Sequence, residues 1–101
     1  MNYKSSAWKR KRLYILSRDD YECQESRRYG KTAVANTVHH IYPIEYYPEL
    51  TYIDWNLLSV SESMHNTFHD RENNEITDKG KHWQRKFKRQ FESHMEEFNN
   101  E

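Results

Sequence analysis

Apolar residues recur along this chain in short runs with changing period, and the runs order the elements. Ala7, Trp8, Leu13, Ile15 and Leu16 predict a first helix, with Ser5 or Ser6 as its cap and an end near Asp19. Lys9, Arg10, Lys11 and Arg12 fill much of its polar face. Asp19-Asp20-Tyr21 breaks the pattern, and Arg27-Arg28-Tyr29-Gly30 reads as a basic turn in which Gly30 can take positive φ. Residues 32–38 carry Ala33, Val34, Thr37 and Val38, a strand that ends at a histidine doublet. Pro43 and Pro48 bracket Tyr46-Tyr47, so residues 42–55 are expected to be an ordered loop.

A second short strand, residues 56–60, follows. Ser59 and Glu62 have the spacing of a capping box and predict a helix from about Val60 to about Glu72, closed by Asn73-Asn74. Thr77 or Asp78 is the predicted cap of a last helix. On it Trp83, Phe87, Phe91, His94, Met95 and Phe98 repeat at helical spacing, with Lys and Arg between them. The expected order is helix, strand, loop, strand, helix, helix.

Composition adjusts this picture. The chain has 101 residues, the length of one domain, and its mean hydropathy of -1.28 is low enough to raise disorder. The 15% of aromatic residues argues for order, because Trp and Tyr carry large apolar area and tolerate half-wet positions. Net charge is zero, which removes a global basic signal. Its distribution is uneven: residues 1–31 sum to +5, residues 32–80 to -6, and residues 81–101 to +1. Basic arms around an acidic, histidine-bearing centre suit phosphate at the flanks and a cation in the middle. Cys23 is the single cysteine, so no intrachain disulfide forms. No apolar run approaches the roughly 18–20 residues that span a bilayer, and the N-terminus lacks the apolar stretch of a signal peptide. A soluble, cytoplasmic protein of a bacterial or phage-infected host cell is the expectation.

Four of the six histidines carry the chemistry. His65 and His69 lie at i and i+4, which on a helix puts both imidazoles on one face, suited to one metal ion. The doublet His39-His40 can add a third ligand and leave one histidine for proton transfer. Adjacent strand residues point to opposite faces, so both can serve one cleft only if the strand bends or ends there. An exposed helix face is the ordinary reading of a lone His pair at this spacing. Adding the doublet and Asn56, in order, shifts the balance toward a metal site. His82 and His94 lie outside this set and read as ordinary histidines.

The runs Val38-His39-His40-Ile41, Asn56-Leu57-Leu58-Ser59 and His65-Asn66-Thr67-Phe68-His69 resemble the HNH nucleases, whose core is the ββα-metal motif. Trp8 … Leu16-Ser17-Arg18-Asp19 … Cys23-Gln24 is similar to the phage-type branch. The resemblance spans roughly residues 3–90. It implies an α+β fold: a two-stranded antiparallel hairpin plus a metal-binding helix, at about residues 33–72 of a single domain covering 1–101, flanked by N- and C-terminal helices.

By that resemblance His39, His65 and His69 would bind one divalent cation. His40 would be the general base, and Asn56 would tie down the loop behind it. Products would be a 5′ phosphate and a 3′ hydroxyl. Mg²⁺ or Mn²⁺ would be the metal in use, with Zn²⁺ or Ni²⁺ binding tightly, since a third imidazole at His69 softens the site. Arg10, Arg12, Arg18 and Arg71 are candidate phosphate holders.

Many phage-type relatives carry two C-x-x-C pairs for a structural zinc. The corresponding positions read Cys23, Ser26, Ser61 and Met64, which predicts no structural zinc but a surviving cluster of these four residues. The implied partner is DNA, in duplex form, with a phage terminase or other packaging protein as a further candidate. No membrane is expected, and either a monomer or a homodimer formed through the last helix. Two alternatives stay open: a non-catalytic, metal-stabilised nucleic-acid-binding module, and a ribonuclease on the same fold.

Overall fold

The computed structural model describes residues 1–99, and of residues 98 and 99 the backbone alone. The Phe98 side chain expected on the last apolar stripe lies outside the described residues. The fold is α+β. Helix α1, Ser6–Arg18, starts where Ser5 accepts the amide of Trp8, and it stops at Asp20 and Tyr21, both at positive φ. A short helix α2, Gln24–Arg28, stands where a basic turn was expected, and only its exit at Tyr29-Gly30 is a turn (Gly30 φ 74°).

Strands β1, Thr37–His40, and β2, Leu57–Val60, pair antiparallel, with Thr37 opposite Val60 and His40 opposite Leu57. The expected first strand began at residue 32. In the structure Val34 makes an isolated bridge to Glu22, and the amides of Cys23 and Ala35 exchange with the carbonyls of Ala33 and Tyr21. This stretch is thus drawn to the α1–α2 connection before pairing with β2. The linking loop contains two 3-10 turns, Pro48–Leu50 and Asp54–Asn56.

Strand β2 is buried on both faces. Leu57 packs with Trp8 and Ile15 under α1, and Ser59 Oγ donates to the Ile15 carbonyl. Leu58 and Val60, pointing the other way, enter the main core with Ile41, Leu50, Phe68 and Trp83. Polar ties fix the periphery. Glu25, fully buried, accepts from Arg28 and from the Trp83 indole, joining α2 to the C-terminal helices. Cys23, Ser26 and Ser61 come together: burial pushes the Cys23 thiol up, but hydrogen bonds from Ser26 and Ser61 outweigh it and the net shift is downward. Met64 packs on the core cluster that holds Cys23.

The helix expected over residues 60–72 is much shorter. Helix α3 covers Glu62–His65, capped by Ser61 rather than Ser59. Tertiary bonds take over beyond it. The carbonyls of Thr67 and Phe68, which a continuing helix would need as acceptors, accept instead from the Thr77 hydroxyl (2.6 Å) and the Thr77 amide (2.9 Å). His69 therefore leaves the helix and forms a bridge with Ile76.

The last helix is also divided. Helix α4, Asp78–Lys86, is capped by Thr77, and α5, Lys88–Asn99, follows a break at Phe87. Gly80 permits the close approach of α4: a Cβ there would stand 2.9 Å from the Phe68 carbonyl oxygen and 2.5 Å from Ile76 Cγ1. No described helix is long and apolar enough to cross a membrane.

Candidate active site

The hairpin places the doublet. On β1, Val38 and His40 face α1, while His39 faces α3 and the main core. Both histidines nevertheless line one cleft of about 460 Å³, together with Arg12, Glu45, His65 and His69. Strand β1 is the edge of a two-stranded sheet and ends at His40, so the cleft wraps around it. Strand termination is thus one of the two conditions that the sequence set for a shared site.

His39 is the buried member, 2% exposed, with its ring 4.6 Å from Phe68. Its Nε2 is buried and has no hydrogen-bond partner. Leaving such a group unpaired is costly, and a Lewis-acidic ligand would satisfy it. The His65 and His69 rings lie 5.1 and 6.1 Å from that of His39, centroid to centroid. His65 projects from the last turn of α3, and His69 from the bridge to Ile76. The three imidazoles therefore converge from three different elements, not from one helical face as the i, i+4 spacing suggested. Among the described residues no three His, Cys, Asp or Glu side chains already stand in metal-binding geometry.

Burial sets the protonation of His39, His40 and His65. It drives His39 well below the ordinary 6.5, with smaller contributions from His65, His69 and His40. His65 is lowered by burial and then by His69, with Glu62 opposing. His40 is lowered by burial, against an opposing hydrogen bond to the Thr51 carbonyl. Neutral imidazoles are the form that both a metal ligand and a general base require.

Two contacts fix the His40 ring. Its Nε2 lies 3.1 Å from the Thr51 carbonyl oxygen, an acceptor, so Nε2 carries the hydrogen and Nδ1 is left with a free lone pair. Trp8, itself 4% exposed, stacks on the ring at 5.2 Å and 24°. The sequence reading placed Trp8 only in the apolar set of the first helix and did not single out Thr51. A backbone carbonyl has no sequence signature, and Trp8 meets His40 across 32 residues.

Asn56 is fully buried behind this pair and does not line the cleft. Its Oδ1 accepts from the Tyr42 amide (2.7 Å), and its Nδ2 donates to the carbonyls of Tyr42 (3.1 Å) and Leu50 (3.2 Å). It thereby holds together both ends of the segment from Tyr42 to Leu50, next to the Thr51 carbonyl.

The four arginine candidates separate. Arg12 lines the cleft, anchored by Nη2 on the Asn36 carbonyl at 2.6 Å. Arg18 is turned to Asp19 and to the carbonyls of Asp54 and Leu57. Arg10 and Arg71 are exposed and do not line the cleft, and neither do His82 and His94.

No family model matches the chain, and no curated protein matches it. A solved structure does. The HNH endonuclease of deep-sea thermophilic bacteriophage GVE2, crystallised with manganese ion, is 34% identical; the match has a TM-score of 0.61 and covers 63% of this chain and 70% of that one. The hairpin-and-helix core with its histidine cleft and this likeness define a nuclease of the ββα class. The chain belongs to the HNH endonucleases, in their phage-type branch, as the sequence motifs indicated.

Proposed function

We propose that this chain hydrolyses DNA phosphodiester bonds, with one divalent cation held by His39, His65 and His69 and with His40 as the general base. The observation that carries the reading is the buried, unpartnered Nε2 of His39, facing two further imidazoles beside a histidine whose other nitrogen is already engaged. The donor set fits such an ion: three imidazole nitrogens leave positions open for substrate. Rotation of the half-buried His65 and His69 side chains would close the set. The relative from phage GVE2 was crystallised with manganese, which supports a divalent metal here. Mg²⁺ or Mn²⁺ is the metal for turnover, while three imidazoles hold Zn²⁺ or Ni²⁺ more tightly.

Bound there, the cation supplies Lewis-acid polarisation of the phosphate and stabilises charge on the departing 3′ oxygen. The chain's own groups do the rest. His40 Nδ1 takes a proton from the attacking water while Nε2–H stays on the Thr51 carbonyl, so the ring keeps its orientation. The P–O3′ bond breaks as the new P–O bond forms, and the departing 3′ oxygen takes a proton from solvent, leaving a 5′ phosphate and a 3′ hydroxyl. Trp8 prevents the imidazole from tilting, and Asn56 holds the loop that presents Thr51. Arg12 holds the phosphate backbone at the mouth of the cleft.

Metal affinity separates ligands from base. By calorimetric titration with Mn²⁺, His39→Gln, His65→Ala and His69→Ala should each weaken binding beyond the roughly 10–100-fold that loss of an outer-shell partner costs. His40→Ala should bind the metal as the parent does. Equal binding by all four variants would overturn the ligand assignment.

A further inference from the structure

The catalytic cleft does not end at His69. A second groove of about 550 Å³ shares Pro43, Glu45 and His69 with it and adds Asn73, Asn74 and Lys81. Lys81 in turn forms the wall of a third groove with Arg85 and Lys88. These three cations fall at i, i+4 and i+7 across α4 and the start of α5, on one face of the helical arm. All three are exposed. Among the described residues Lys81 and Arg85 take part in no ion pair, and Lys88 makes a long, solvent-exposed contact of 3.8 Å with Glu92. Lys86, one position beyond Arg85, points elsewhere, over the Trp83 ring.

We propose that the Lys81–Arg85–Lys88 face is a second binding site for DNA, a track that takes the sugar-phosphate backbone as it leaves the catalytic cleft past His69. The proposal rests on the DNA nuclease reading above. The dimensions match: from Lys81 to Arg85 helix α4 rises roughly 6 Å, about two nucleotide steps of 3.4 Å, and Lys88 follows across the break at Phe87. Acidic groups also face the track, namely Glu45 and Glu75 in the second groove and Glu92 in the third. The Lys88–Glu92 pair is exposed and weak, so a phosphate displaces it readily. Glu45 borders the histidine cleft, where the divalent charge would sit. Lys81 and Arg85 thus remain free to meet phosphate. As a phosphate-holding track it adds affinity and positions the strand, since backbone contacts carry no sequence information directly.

The test is equilibrium binding of a labelled DNA duplex by fluorescence anisotropy, with Mn²⁺ present and the full chain carrying His40→Ala to prevent turnover. Lys81→Gln/Arg85→Gln/Lys88→Gln is compared with a charge-matched control on other surfaces, Lys9→Gln/Arg27→Gln/Lys31→Gln. Three lost phosphate contacts should reduce the slope of log affinity against log salt by about 2.7, so the affinity ratio of parent to track variant should change roughly 40-fold between 50 and 200 mM salt. The control should keep the parental slope. Equal slopes for track variant and control would overturn the proposal. The readout is binding, so a chain that bound DNA through this track yet never cleaved would refute the nuclease reading alone. The six side chains replaced by glutamine are exposed, and matching thermal melts would show that the fold is retained.

Discussion

Replacing Asn56 with alanine should destabilise the whole domain far more than a surface change, and its effect on cleavage should follow from that. The side chain is fully buried and satisfies three backbone groups: the Tyr42 amide, the Tyr42 carbonyl and the Leu50 carbonyl. Alanine leaves the Tyr42 amide and carbonyl without a partner in a place closed to solvent, and leaves the Leu50 carbonyl only its 3.4 Å bond from the Ile53 amide. Each orphaned group costs about 1–3 kcal/mol, so the total is on the order of 2–6 kcal/mol. A chain of this length has about 5–15 kcal/mol to lose. At about 4–8 °C per kcal/mol, the melting temperature should fall by at least about 8 °C. Asn56→Asp should not restore it, because a second carboxylate oxygen would face two carbonyls where Nδ2 donates now. Melting followed by circular dichroism gives the shift, and cleavage assayed well below the variant's melt gives the catalytic share. An Asn56→Ala protein that melts within about 2 °C of the parent but no longer cleaves would refute the loop-tie reasoning and place Asn56 in the chemistry.

Two further outcomes follow from the packing around the histidines. Gly80→Ala should cost about 1–3 kcal/mol in a thermal melt, because Ile76 can rotate away from the new methyl but the Phe68 carbonyl cannot. Phe68 sits between His65 and His69, so Mn²⁺ affinity should fall as well; a melt equal to or above the parent's would contradict the close approach. Trp8→Ala should lower kcat by up to about 10²-fold at a temperature where the variant is folded, with Mn²⁺ affinity retained and with Trp8→Phe keeping most activity; equal kcat for both variants would remove the positioning role.

What the sequence made legible was local. Ser5 and Thr77 cap where the pattern placed caps, because a side-chain oxygen meeting a free amide is decided within four residues. The two strands followed from two short β-prone runs, and their pairing as a hairpin from the family resemblance, which was readable because its residues lie in fixed order. The errors arose where distant bonds won. Residues 66–72 had helical spacing, yet Thr77 captured the Thr67 and Phe68 carbonyls and pulled His69 out of the helix. The histidine pair still reaches one cleft, by a different route from the one its spacing suggested. Residues 32–36 were drawn to the α1–α2 connection for the same reason. The break at Phe87 carries no Gly or Pro and had no local signal. The stacking of Trp8 on His40 and the choice of Arg12 over Arg18 depend on how α1 lies on the hairpin, which no local pattern encodes.

The most direct test of the central claim is plasmid relaxation by metal-stripped protein, with Mg²⁺, Mn²⁺, Ni²⁺ or Zn²⁺ restored singly and the His40→Ala protein alongside. Nicking or linearisation that appears with Mg²⁺ or Mn²⁺, and disappears in His40→Ala while that variant still binds the ion, is the predicted result. Cleavage that survives in His40→Ala, or fails with every metal although the ion binds, would contradict the account.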